Sequence, residues 1–205
     1  MRRDKLIKAV LLATFVMFSA SYAYAEDFVA HLTGFQEIGA LSTATAFPTG
    51  AIRSDGSGTL RLDLDRKAGT AKWTLTFTDV GTTPPLTGTV TQAHIHFGKR
   101  HVAGGVMVFF CANVTTAPTG TQPCPVNSGT VTGTFTSANV LAIAGQNVKA
   151  NDFDALVDAL ASNTAYANIH TTALPAGEIR GQIHRDRRDH DDKHDDKHDD
   201  KDHGR

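Results

Sequence analysis

"GTLRLDLDRKAGTAKWTLTFTDV", residues 58–80, contains two runs in which apolar and polar residues alternate strictly. Leu60, Leu62 and Leu64 interleave with Arg61, Asp63 and Asp65; after Lys67-Ala68-Gly69, Ala71, Trp73, Leu75 and Phe77 interleave with Lys72, Thr74 and Thr76. Successive side chains on a strand point to opposite faces, so each run builds one apolar face and one polar face, the pattern of a half-buried β-strand. Gly and Lys in the intervening triplet mark a turn.

The same reading extends outward in both directions. "DFVAHLTG", "TVTQAHIHFG", "GVMVFFCANV", "SGTVTGTFT", "AYANIHT" and "GEIRGQIHR" are short and rich in Val, Thr, Ile and Phe. Asp55-Gly56, Pro84-Pro85, Gly104-Gly105 and Pro175-Ala176-Gly177 punctuate them. About eight such strands predict an all-β Greek-key sandwich or barrel. One segment departs from the two-residue period: in "NDFDALVDALASN", Phe153, Leu156, Val157 and Leu160 follow helical spacing, with Asp152, Asp154 and Asp158 on the other side. This predicts one short amphipathic helix, capped by Asn151 and packed over an open end of the sandwich.

The two ends are of another kind. Residues 1–25, "MRRDKLIKAVLLATFVMFSASYAYA", have a basic start, an apolar run from Ala9 to Phe18 and a small-x-small ending at Ala23-Tyr24-Ala25. These are the three parts of a secretory signal peptide, and the apolar run is too short for the roughly 20 residues a membrane span requires. The expected location is therefore secreted or periplasmic, with no membrane span after cleavage. Residues 185–205, "RDRRDHDDKHDDKHDDKDHGR", contain no apolar side chain to bury and are expected to be a disordered tail. Its His190, His194, His198 and His203 offer weak chelation, and the alternative is a solubilising spacer.

Residues 26–184 are then one domain. They carry 9 Lys or Arg against 11 Asp or Glu with no basic stripe, which argues against nucleic acid as a partner. Cys111 and Cys124, the only cysteines, are expected to pair as a disulfide in an oxidising compartment. G-x-S-x-G, Walker and dinucleotide-binding motifs are absent.

Strand parity gathers one polar face. His94 and His96 in "AHIH" share a side, as do Tyr166, Asn168 and His170 in "AYANIH" and Glu178, Arg180, Gln182 and His184 in "GEIRGQIH". The short connection "TTALPAG" places His170 and Glu178 near one end of neighbouring strands.

The opening "AHLTGFQE", the central "AHIHFG", and "NIHT" followed by "PAGEIRGQ" resemble the CHRD domain family over residues 27–184. That family is named after chordin, an extracellular animal antagonist of bone morphogenetic proteins, and is also found in secreted bacterial proteins. The resemblance implies an immunoglobulin-like β-sandwich and supplies no catalytic residue.

Four readings fit the polar face. It is a hydrogen-bonded lattice with a Glu178–Arg180 salt bridge and neutral histidines. Or it is a metal centre for copper or zinc, with His94, His96 and His170 as ligands, Glu178 as fourth ligand or orienting group, and Asn168, Arg180 and Gln182 in support. Or it binds a small organic ligand. Or it is a copper redox site, because H-x-H before Phe-Gly is similar to the copper strand of copper/zinc superoxide dismutases, whose zinc-loop ligands have no counterpart here. The sequence thus predicts an exported, non-enzymatic binding protein for a metal ion, small ligand or extracellular partner. The alternative is a structural or adhesive envelope protein.

Overall fold

The computed structural model describes residues 26–38, 50–85 and 88–186. The segment 1–25 expected to be a signal peptide and the histidines His190, His194, His198 and His203 lie outside the described residues. Nine strands are described: β1 (Glu26–Thr33), β2 (Ser57–Asp65), β3 (Thr70–Thr78), β4 (Val90–Phe97), β5 (Gly105–Ala112), β6 (Gly129–Phe135), β7 (Ala165–Thr171), β8 (Ile179–Gln182) and β9 (His184–Arg185). All pairings are antiparallel, in the order β5-β4-β7-β8-β1-β2-β3-β6, with β9 beside β1. The sheet is nearly closed. Its two end strands are tied by Gln122, whose Nε2 donates to Phe110 O of β5 and Thr132 O of β6.

The alternation seen in residues 58–80 is the alternation of burial. Leu60, Leu62, Leu64, Ala71, Leu75 and Phe77 are at most 2% exposed, and the polar residues between them face out. From the other half of the sheet come Ile95, Met107, Val108, Phe110, Ile169 and Ile179, which complete one continuous core, the filling of a β-sandwich. Trp73 stacks on Phe135 and meets Phe110 edge-on, joining the two halves. Each such large apolar side chain stabilises the fold by about 1.5–3 kcal/mol on full burial.

All eight predicted strands form, and the last one is split. The break at Ile183 lets the chain leave β8 and pair again with β1 at Phe28 and Val29. Arg185 lies in that pairing and bonds Glu26, Asp186 N donates to Asp27 O, and Arg61 pairs with Asp186 at 3.4 Å. Arg185 and Asp186, the first two residues assigned to the tail, are therefore held against β1. The helix is α1 (Phe153–Ala161), with Leu156, Val157, Ala159 and Leu160 buried. Its cap is Asp152, whose Oδ1 accepts from Ala155 N, rather than Asn151. Asn151 sits in the left-handed region at φ 64° and donates its N–H to Val140 O, so its backbone belongs to the preceding turn.

The disulfide forms between Cys111 at the end of β5 and Cys124 in the loop leading to β6. Among the described residues no cysteine is free, and no helix is long and apolar enough to cross a membrane.

Candidate metal centre

β7 is buried on both faces. Ala165, Ala167 and Ile169 enter the core, while Tyr166, Asn168 and His170 meet the polar side of β4 and β8. Cross-strand register sets His94 opposite Asn168, His96 opposite Tyr166, and Asn168 opposite Arg180. On its other edge β4 pairs with β5 through two irregularities, between Ala93 and His94 and between Ile95 and His96. At each, β5 carries one extra residue, Phe110 and Met107 respectively, and both extra side chains are buried. Such bulges re-aim neighbouring side chains, and here they flank both histidines of the H-x-H.

The result is a cluster of three imidazoles. His94, His96 and His170 are 2%, 8% and 6% exposed, and one nitrogen from each lies within 4.8 Å of the others. His96 Nδ1 is 2.9 Å from Gly104 O and His170 Nδ1 is 3.0 Å from Pro175 O. Because a carbonyl only accepts, both Nδ1 atoms carry the proton and both Nε2 atoms are left with lone pairs. His94 Nδ1 lies 3.2 Å from His170 Nε2, so in the metal-free state His94 donates to it. His94 Nε2 and His96 Nε2 are buried without a partner.

Electrostatics keep the cluster neutral. Burial pushes the His94 pKa down to about 2, helped by His170 and His96, and that of His96 down to about 4 against the opposing pull of the Gly104 carbonyl. His170 is lowered as well, again by burial. Neutral imidazole is the form that ligates a metal. Two nitrogens on one ion at about 2.0–2.1 Å stand roughly 3.3–3.6 Å apart, so the His94–His170 separation already suits a shared ion. His94 Nδ1 becomes the third lone pair when its proton sits on Nε2.

The supporting residues act through a loop. Arg180 donates to Lys99 O and Val102 O, Gln182 donates to Gly98 O and Asn163 O, and Tyr166 Oη accepts from Gly104 N. Residues 98–104 are thereby pinned over His96. Asn168 donates to Glu37 and to Ile179 O, which draws the buried Glu37 of the opening "GFQE" onto the same face. Glu37, Tyr166 and Phe109 were not assigned a role from sequence. Tyr166 stacks on His96 with centroids 4.8 Å apart, Phe109 meets His94 edge-on at 4.2 Å, and Arg180 lies over the Tyr166 ring at 3.4 Å. Parity did place Tyr166 on this face.

Glu178 does not join the cluster. Its carboxylate accepts from Ser54 Oγ at 2.7 Å, Gly81 N at 2.8 Å and Thr171 Oγ1 at 3.0 Å, and the expected salt bridge to Arg180 is not formed. Glu178 precedes β8, directly after Gly177 at φ 133°, so strand parity does not reach it. His31, His101 and His184 are exposed. An open groove of about 530 Å³ beside β1, β2 and β3, lined by Asp27, Arg61, Asp63 and Lys72 among others, shares no residue with the cluster.

Fold and site together define an all-β domain with a buried tri-histidine cluster. A family model described as "CHRD domain" matches residues 28–183, and the chain belongs to the CHRD-domain family. No curated protein and no solved structure matches the chain.

Proposed function

We propose that this chain is an exported, non-enzymatic binding protein that holds one transition-metal ion, copper or zinc, through His94, His96 and His170. The observation that carries the reading is the convergence of three buried, neutral imidazoles, with His94 Nδ1 3.2 Å from His170 Nε2 and His96 Nε2 buried beside them without a partner. A buried polar atom left unpaired costs about 1–3 kcal/mol, and a metal ion relieves this cost at His96 Nε2 while the other two imidazoles complete its ligand set. The carbonyls of Gly104 and Pro175 supply the orienting contacts that metal-bound histidines ordinarily have. The pinned loop over His96 favours retention of a bound ion over turnover of a substrate. Export is supported by the three-part leader, and the disulfide and family membership are compatible with it.

Titration calorimetry and thermal melting test the reading. Wild-type protein takes up about one tight equivalent of ion and its melting point rises with free metal, following mass action. His96→Ala and His170→Ala lose both the tight equivalent and the stabilisation. A flat titration of the wild-type protein overturns the proposal.

A further inference from the structure

Resting on that reading, we infer that the site selects a soft monovalent ion, cuprous copper, over divalent zinc and cupric copper. Imidazole ligates all three ions, so selection falls to charge and coordination number. Among the described residues, the group of His, Cys, Asp and Glu side chains able to share an ion here comprises the three histidines alone. The buried carboxylate that parity suggested, Glu178, is hydrogen-bonded to Ser54, Gly81 and Thr171. Three neutral ligands leave the full charge of the ion uncompensated within its ligand set.

That charge would stand in a poor place for a dication. The three imidazoles are buried, and the rings of Phe109 and Tyr166 flank His94 and His96. The Tyr166 ring on which His96 stacks also carries the Arg180 guanidinium, itself 2% exposed, so a positive charge stands beside the site, opposed by the buried Glu37 carboxylate that Asn168 draws onto the same face. The Born cost of burying an ion grows with the square of its charge, which makes a dication about four times as costly as a monocation of similar size. Zinc also completes a tetrahedron with a fourth ligand, and since the cluster offers three, that ligand must be a water brought into the buried site. Cuprous copper, a closed-shell monocation, is satisfied by three nitrogens in a plane.

The test compares the ions on the full chain. Wild type and His94→Ala are titrated anaerobically with cuprous copper against a chromophoric cuprous chelator, and separately with zinc against a zinc-sensitive dye. Ascorbate serves as reductant, so that the disulfide is kept and no thiol competes. The C-terminal histidines are present in both proteins, so the difference between them belongs to the buried site. The expected result is one cuprous ion per chain, bound at least about a hundredfold more tightly than zinc, and lost in His94→Ala. In Arg180→Met the copper-over-zinc preference narrows by about tenfold, because a like charge has gone. Zinc bound as tightly as cuprous copper by the wild-type protein overturns this inference and leaves the metal reading standing. Binding of neither ion overturns both. An unchanged preference in folded Arg180→Met overturns the charge argument.

Discussion

The histidines of the cluster are held neutral by burial, and this makes stability depend on pH in a definite direction. The unfolded chain titrates near the ordinary histidine value of about 6.5, whereas folded His96 does so at about 4 and His94 at about 2. Between those values the unfolded state binds protons that the folded state refuses. The stabilising contribution is therefore full above pH 6.5 and is lost as pH falls, down to about 4 for His96 and further for His94. At about 1.4 kcal/mol per unit, metal-free protein is expected to lose about 2 kcal/mol for each of these residues between pH 6.5 and 5. Urea unfolding of metal-free protein at pH 7.5 and pH 5 measures the loss, and His94→Phe is expected to show a visibly shallower dependence. Equal slopes in the two proteins would mean that His94 is not the residue refusing the proton. In the loaded protein, protons compete with the ion for the same nitrogens, so acidification is expected to release metal as well.

Among elements, what was legible in the sequence was whatever a local period encodes. Leu60 to Phe77 announce β2 and β3, and the sides shared by His94 with His96 and by Tyr166 with His170 follow from parity alone. What was not legible depends on contacts between distant segments. The Gly98–Gly104 loop covers His96 because Arg180 and Gln182, some 80 residues away, hold its carbonyls. Glu37 reaches Asn168 across 131 positions, and Glu178 is drawn off by Ser54 and Gly81, which no strand period connects to it. The disulfide was a compositional inference, and its structural task is now clear. It ties the end of β5 to the segment bearing Gln122, the residue that bridges β5 and β6. Cys111→Ala is expected to lower stability by about 2–4 kcal/mol with the fold retained, since the core spans both halves of the sheet without the bridge. Guanidinium unfolding measures the loss, and non-reducing peptide mapping of the wild-type protein is expected to recover the two cysteine peptides linked.

On the scale of the whole molecule, the nearly closed sheet gives every strand between β5 and β6 two neighbours, and strand pairing continues past the bound that composition sets. Composition placed the end at His184, because nothing beyond it is apolar. Two residues beyond it are tied to the sheet by polar means: Arg185 shares Glu26 with Arg66, Asp186 N bonds Asp27 O, and its carboxylate meets Arg61. These groups fasten the last strand to the first, where Arg185 also lies over the Phe28 ring at 5.4 Å. Exposed ion pairs contribute little each, about 0–1 kcal/mol, but the backbone pairing of β9 adds to them. Two truncations are therefore expected to differ. Ending the chain after Asp186 leaves the melting temperature near that of the full chain, whereas ending it after His184 lowers stability by about 1–2 kcal/mol, read as a shift in the urea midpoint. The same pair tests the tract of His190, His194, His198 and His203. If it gathers metal, both truncated proteins retain less nickel or copper at neutral pH than the full chain and match each other; retention equal to the full chain would deny the tail that task.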